Sequence, residues 1–274
     1  MSYIEIFGTL KDASFGGTNL SSLDYYIYDV KKPLMSKQDI NLFDPPDRPG
    51  KIMLSKKLTE YELTLNGFIE AENHSDLITK INAISAFLYS DSDQQLIISD
   101  EPTKYWNCQY LDYAEVGKKD RYSLVDLIFS CNEYPFGLAV TEDTDTQTGI
   151  TVIGQTFNIT NSGHYFAWPV ITITFNDASP PISNTHIYLA NNTISGCRID
   201  ISKTFEADDE LEIDSWNKTI KLNSVLDPSG LGDGGDGKAV FPPLAKGINQ
   251  FEAGTDDADL DIDIYTTFRK TYLS

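Results

Sequence analysis

The sequence predicts two β-rich domains in tandem: an α+β domain over residues 1–140, read as a β-sandwich with one helix and an extended arm, then an all-β sandwich or jelly roll over 145–274. Three observations carry that expectation. Strand-like alternation recurs in both halves, one segment alone keeps a helical period, and a proline-rich stretch interrupts the first half. A chain of 274 residues is long enough for two cores of ordinary size.

In the first half, "DYYIYDV" (24–30), "YELTLNGF" (61–68), "QQLIIS" (94–99) and "RYSLVDLIFSC" (121–131) are rich in β-branched and aromatic residues and read as strands. The helix falls in "AENHSDLITKINAISAFLYS", where Leu77, Ile81, Ile84 and Leu88 recur at helical spacing. Asn73 and Ser75 are its candidate N-caps, and Asp76 suits the first turn. Between strand and strand lies "VKKPLMSKQDINLFDPPDRPGKIMLSKK" (30–57), with Pro33, Pro45, Pro46 and Pro49 among charges and isolated apolar residues. A connection this long is either a loose surface loop or a functional element. A free loop rarely gives six large apolar side chains to water, so Ile40, Leu42, Phe43, Ile52, Met53 and Leu54 are the expected contact residues of an arm that packs outside its own domain.

Past Tyr134 and Pro135 the chain turns Thr- and Asp-rich and loses apolar period, so 133–149 reads as a linker. Eight short strands are expected after it: "FNIT", "PVITITF", "THIYLA", "CRIDIS", "LEID", "TIKLN", "INQFEA" and "DLDIDIYTTF", separated by Asn, Asp, Gly and Pro turns. Pro169 stands at the mouth of the second of these, where its missing N–H is tolerated. "LEIDSWNKTIKLN" reads as a tight hairpin with Ser215 to Asn217 at its tip. In "DLDIDIYTTF", Leu260, Ile262, Ile264 and Thr266 alternate with Asp259, Asp261 and Asp263, which calls for one wet face.

The chemistry is sparse. The net charge of −20 disfavours sequence-independent nucleic-acid binding. Cys108, Cys131 and Cys197 stand far apart, with neither a disulfide framework nor a zinc pattern, and read as reduced thiols. No signal-peptide pattern is visible, and the longest apolar run, Tyr165 to Phe175, is too short to span a bilayer, so the expectation is a soluble protein without membrane insertion. His74, His164 and His186 have no partners at metal-ligand spacing. The chain has no nucleophile elbow, P-loop or dinucleotide fingerprint. The expected catalytic, metal and cofactor residues are therefore none. Two features are weighed further. Asp227, Asp233 and Asp236 in the glycine-rich "DPSGLGDGGDGK" offer oxygen ligands to calcium but lack an EF-hand's spacing, and a mobile loop is the default. Trp216 either stacks on a sugar or partner, or folds back onto its sandwich.

In their order along the chain, the segments resemble the distal tail proteins of long-tailed bacteriophages, the siphovirus tail-component family. The resemblance runs through "DRPGK", "YELTLNGFI", "HSDLITKINAISAFL", "LIISDEPTKYWNCQY" and "LIFSCNEYPFG" in the first half. It continues in "NSGHYFAWPVITITF" and "FPPLAKGINQFEA…DLDIDIYTTFRKTYL" in the second. Asn161, Gly163, Ala167 and Pro169 match the family's entry into its sandwich, while the long insertion by which some relatives carry sugar-binding modules is missing. The resemblance implies a non-enzymatic hub at the virion tail tip, assembled in the host cytoplasm. It implies a homohexameric ring joining the tail tube protein to the tip protein and to receptor-binding proteins. The first domain would form the ring, the arm would be a belt onto a neighbouring subunit, and the second domain would be a galectin-like projection. DNA would pass through an acidic channel without specific binding.

Two other function classes compete. A monomeric carbohydrate-binding module explains the sandwich and Trp216 but leaves the arm idle. A glycosidase would need a carboxylate pair across a cleft, and no pair stands out.

Overall fold

The computed structural model describes residues 9–46, 49–119, 122–176, 182–232, 240–255 and 261–273. Its chain packs as two units, Met1–Val140 with Tyr272–Ser274, and Thr141–Thr271. The first unit holds β1 (Ala13–Phe15), β2 (Thr18–Asn19), β3 (Tyr25–Lys31), β4 (Gln38–Phe43), β5 (Ile52–Leu58), β6 (Tyr61–Glu70), the helix α1 (His74–Leu88), β7 (Gln94–Ile98), β8 (Lys104–Lys119), β9 (Tyr122–Cys131) and β10 (Gly137–Ala139). The second begins with β11 (Asp143–Ile150), β12 (Gln155–Asn161), β13 (Val170–Phe175), β14 (Ile182–Asn191) and β15 (Arg198–Phe205). It continues with β16 (Glu210–Asp214), β17 (Thr219–Leu222), β18 (Val225–Leu226), β19 (Leu231–Gly232), β20 (Gly247–Thr255) and β21 (Ile262–Phe268); β22 (Thr271–Tyr272) follows.

The strands of the first unit follow one path, β2-β1-β7-β8-β9-β6-β3, rather than forming two separate sheets. The long β8 makes this possible. Trp106–Cys108 pair with β7, and the residues from Gln109 onward pair with β9, so one strand serves two halves of the sheet. The inward residues close one core: Phe15 on β1 meets Phe129 on β9 at 5.1 Å between ring centroids, although the two strands are not neighbours. The α1 stripe lands there as its spacing predicts, with Leu77, Ile84 and Leu88 buried and Ile81 packed at the margin. Its N-cap is Asn73, whose Oδ1 accepts from the Asp76 amide at 3.0 Å. Tyr25 crosses the sheet over Gly67, and its hydroxyl donates to the Leu65 and Val125 carbonyls at 2.7 and 2.9 Å.

In the second unit, sheet β11-β21-β13-β16-β17-β18 and sheet β12-β20-β14-β15-β19 share a single core. Phe175 and Phe205, one from each sheet, stack at 4.1 Å. All eight expected strand segments are strands. On β21, Ile262, Ile264 and Thr266 are buried while Asp263 is only half-buried; Asp259 and Leu260 lie outside the described residues. Pro169 is buried immediately before β13, and its carbonyl accepts from the Ser215 amide at 3.0 Å.

The stretch read as a linker needs correction. Within 133–149 lie β10 and most of β11, and β11 pairs with β21 from Asp143↔Phe268 to Ile150↔Ile262. It escaped the apolar period because it is a polar edge strand: only Ile150 reaches the core, while Thr and Asp alternate along the rest. Among the described residues, no helix is long and apolar enough to cross a membrane.

Candidate functional site: the arm

The segment expected as an extended arm is a β-hairpin. β4 and β5 pair antiparallel from Gln38↔Leu58 to Phe43↔Ile52 and belong to no larger sheet. A bulge leaves Leu54 without a cross-strand residue between the Asn41↔Ser55 and Leu42↔Met53 pairs. The base of the hairpin is tied to its own unit. The Lys37 amide donates to the Glu60 carbonyl, and the Thr59 amide donates to the Lys37 carbonyl, both at 2.9 Å. The buried Ser36 hydroxyl donates to the Pro135 carbonyl, and the Tyr61 hydroxyl donates to the Pro33 carbonyl at 3.1 Å. Lys32 pairs with Glu101. Burial pushes the Glu101 carboxyl up, but the Lys32 and Lys104 ammonium groups outweigh it and hold the pKa below its ordinary value.

Beyond that base the hairpin is exposed. Directly paired residues share a face, so Leu42 and Met53 lie on one side with Ile40, and Phe43 and Ile52 lie on the other. All six residues singled out in the sequence are exposed, from 40 % for Ile52 to 60 % for Leu54. The structure thus brings them together on one element, with apolar side chains on both faces and a core on neither. A two-stranded hairpin without a third strand or a packed face is marginal in water. The sequence reasoning passed over Leu34, 93 % exposed, and Met35 at the base of the same element.

Charge sets the arm apart as well. Residues 31–58 hold seven Lys or Arg against three Asp or Glu, while the rest of the chain holds 14 against 38. Lys51, Lys56 and Lys57 are exposed beside the apolar residues of β5. The arm is a basic segment on an acidic protein.

The other candidates resolve differently. Trp216 is half-buried and packs edge-to-face on Trp168 at 4.8 Å, folded back onto its own sandwich. Asp214 fixes the turn beneath it by accepting from the Trp216 and Asn217 amides at 3.0 and 2.9 Å. Of the acidic loop, Asp227 pairs with Lys203 and accepts from Ser229, which hold its carboxyl down at about 2. Asp233 and Asp236 lie outside the described residues. Among the described residues no cluster of His, Cys, Asp and Glu is arranged to hold a metal. Cys108, Cys131 and Cys197 are buried free thiols; burial pushes the Cys197 thiol up to about 11, against a hydrogen bond at the Asn191 backbone that lowers it.

One polar network was missed by sequence reasoning. On β14 and β15, His186 and Arg198 both converge on the buried Asp200, with closest approaches of 2.6 Å, and the Arg198 guanidinium lies 3.9 Å from the Tyr188 ring centroid. The Tyr188 hydroxyl donates to Glu252 at 2.8 Å. The visible signal was polar residues at alternate positions of two strands, but only the pairing of β14 with β15 puts them on one face.

Comparison with known proteins agrees with this architecture. Residues 17–131 match the phage tail protein RIFT-related domain, and residues 162–272 match the siphovirus-type tail component, C-terminal domain. No curated protein matches the sequence. Among solved structures, the Dit protein of phage SPP1, described as a paradigm of the hub adsorption apparatus of phages infecting Gram-positive hosts, superposes with a TM-score of 0.74 at 16 % identity, over 95 % of this chain and 99 % of that one. A chain of the phage p2 baseplate in its activated conformation aligns at 9 % identity with a TM-score of 0.44, over 96 % of this chain and 98 % of that one. With two consecutive domain matches that together span most of its length, the chain belongs to the siphovirus distal tail protein family.

Proposed function

We propose that this chain is the structural hub of a phage tail tip, a ring of six copies joining the tail tube to the tip and host-adhesion apparatus, with no catalytic role. Family membership supports a tail component, and the exposed basic-apolar arm is the observation that carries the ring. In this reading Ile40, Leu42, Phe43, Ile52, Met53 and Leu54 are subunit-interface residues. The unit Met1–Val140 builds the ring, and Thr141–Thr271 is a galectin-like accessory sandwich.

The magnitudes favour closure over a simple pair. Complete burial of a large apolar side chain contributes about 1.5–3 kcal/mol, and these six are already half covered, so roughly 1 kcal/mol apiece remains. Association costs on the order of 4–15 kcal/mol, so one arm barely holds a dimer. In a closed ring every subunit gives one arm and receives another, and all contacts form together.

The test is to replace residues 34–56 of the full-length chain with a short Gly/Ser linker and to weigh both proteins by light scattering across concentration. The intact chain is expected to form a ring and the altered one to remain a monomer with an unchanged melting midpoint. A ring that survives without the arm sinks the proposal.

A further inference from the structure

The first unit contains a groove that its own side chains leave open. It measures about 250 Å³ and lies between α1, which contributes Ile81, Ile84 and Leu88, and the β8–β9 face, which contributes Tyr110, Tyr113 and Val125. Tyr113 is 56 % exposed at its margin, and Ser85 stands exposed on the helix beside it. Small-molecule sites usually span about 300–1,000 Å³ and place several polar groups. This groove is smaller and apolar, a volume suited to one or two large side chains.

We propose that the groove is the seat for the arm of a second copy of this chain, with Phe43 entering between α1 and β8. The inference rests on the arm being an intersubunit clasp and adds where it lands. Three observations point to this occupant. Phe43 pairs with Ile52 at the end of the hairpin farthest from its tied base, so this pair reaches a neighbour first. The seat is aromatic as well as aliphatic, which suits an aromatic guest. The charges also complement each other: the arm is basic, the rest of the chain carries 14 basic against 38 acidic residues, and Asp112 is exposed next to Tyr113. An acidic body attracts the arms of its own kind while its remaining surface repels theirs, which steers the approach.

The full-length protein allows a direct test because its three cysteines are buried. Phe43→Cys in one batch is mixed with Ser85→Cys in another, and disulfide formation under a mild oxidant is read on a non-reducing gel. The control partner is Val225→Cys, exposed on the second unit. The seat predicts at least about tenfold more adduct with Ser85→Cys than with the control. The yield should fall several-fold between about 0.05 M and about 0.5 M salt, as screening shortens the attraction. A second variant, Ser85→Trp, plugs the groove and is expected to abolish self-association while the melting midpoint stays put. Adduct no greater than the control, or a Ser85→Trp chain that assembles normally, overturns the seat and leaves the arm's role standing. Self-association that survives replacement of the arm overturns the clasp itself, and a chain monomeric at every concentration overturns both.

Discussion

The hairpins β4–β5 and β16–β17 are short, antiparallel and carry apolar residues in both strands, yet they end in opposite environments. In β16–β17, Leu211, Ile213 and Ile220 point into the sandwich core, while Glu212 and Lys221 pair across the outer face at 2.6 Å. In β4–β5, Leu42 faces Met53 and Phe43 faces Ile52, and all four are exposed. The difference is pattern rather than composition. β16–β17 alternates apolar and polar residues, so one face meets a core and the other meets water. The arm puts apolar residues on both faces, so no single sheet within its own unit could cover it. Stability comes from the first hairpin and association from the second.

The largest effect is expected where the core hairpin is cut back. Ile213→Ala should cost about 2–5 kcal/mol in urea unfolding, since it removes buried methylenes and leaves a cavity. A cost within experimental scatter would mean that β16–β17 is as peripheral as the arm.

Next comes the sheet from which the arm springs. A Cβ on Gly67 would sit 2.4 Å from Tyr25 Cζ and 2.7 Å from the Tyr26 carbonyl oxygen, which is backbone and cannot swing away. Gly67→Ala should therefore lose roughly 1–3 kcal/mol, and an unchanged midpoint would show that β3 yields readily.

The turn of the core hairpin ranks third. Asp214→Ala removes the acceptor of two amides and should cost roughly 1 kcal/mol in thermal melts. A neutral result would mean that Ser215, whose hydroxyl donates to the Pro242 carbonyl at 3.0 Å, holds the turn alone.

A smaller effect follows pH. Asp227 has a folded pKa of about 2, below its unfolded value, so the stability it contributes is present above about pH 4 and is lost as pH falls through about 2. The melting-point gap between the native chain and Asp227→Asn should thus close over that window. A gap that persists at pH 2 removes the Lys203 pairing as its source.

The smallest effect is the most telling for the comparison. Leu42→Ala should change monomer stability by no more than about 0.5 kcal/mol at low concentration, yet weaken self-association in light scattering. A large stability loss in the monomer would show that the arm packs on its own unit.

Much of the framework was legible because it is written locally. Leu77, Ile84 and Leu88 keep one helical face, Asn73 is the cap its side chain suggests, and Ile262 and Ile264 mark an inward strand face. The six arm residues were legible for the same reason, as apolar side chains in a segment that lacked a period to bury them. β11 was not legible, since a polar edge strand next to turn residues looks like a linker until β21 pairs with it. The His186, Arg198 and Asp200 network was equally hidden, because it exists only once β14 and β15 are in register.

The sequence by itself determined the β-rich class, the position of α1, the strand segments and the fact that residues 30–57 needed a surface other than water. Side-chain period and turn chemistry act over a few residues, so they can be read without knowing what the segment touches. Only the tertiary structure decided that the arm is a hairpin with a bulge at Leu54, that β8 serves both halves of one sheet, and that a groove stays open between α1 and β8. Those features depend on ladders and packing between residues far apart in the chain, such as Phe15 and Phe129. The folded core selects such partners by shape, and nothing in either local segment names the other.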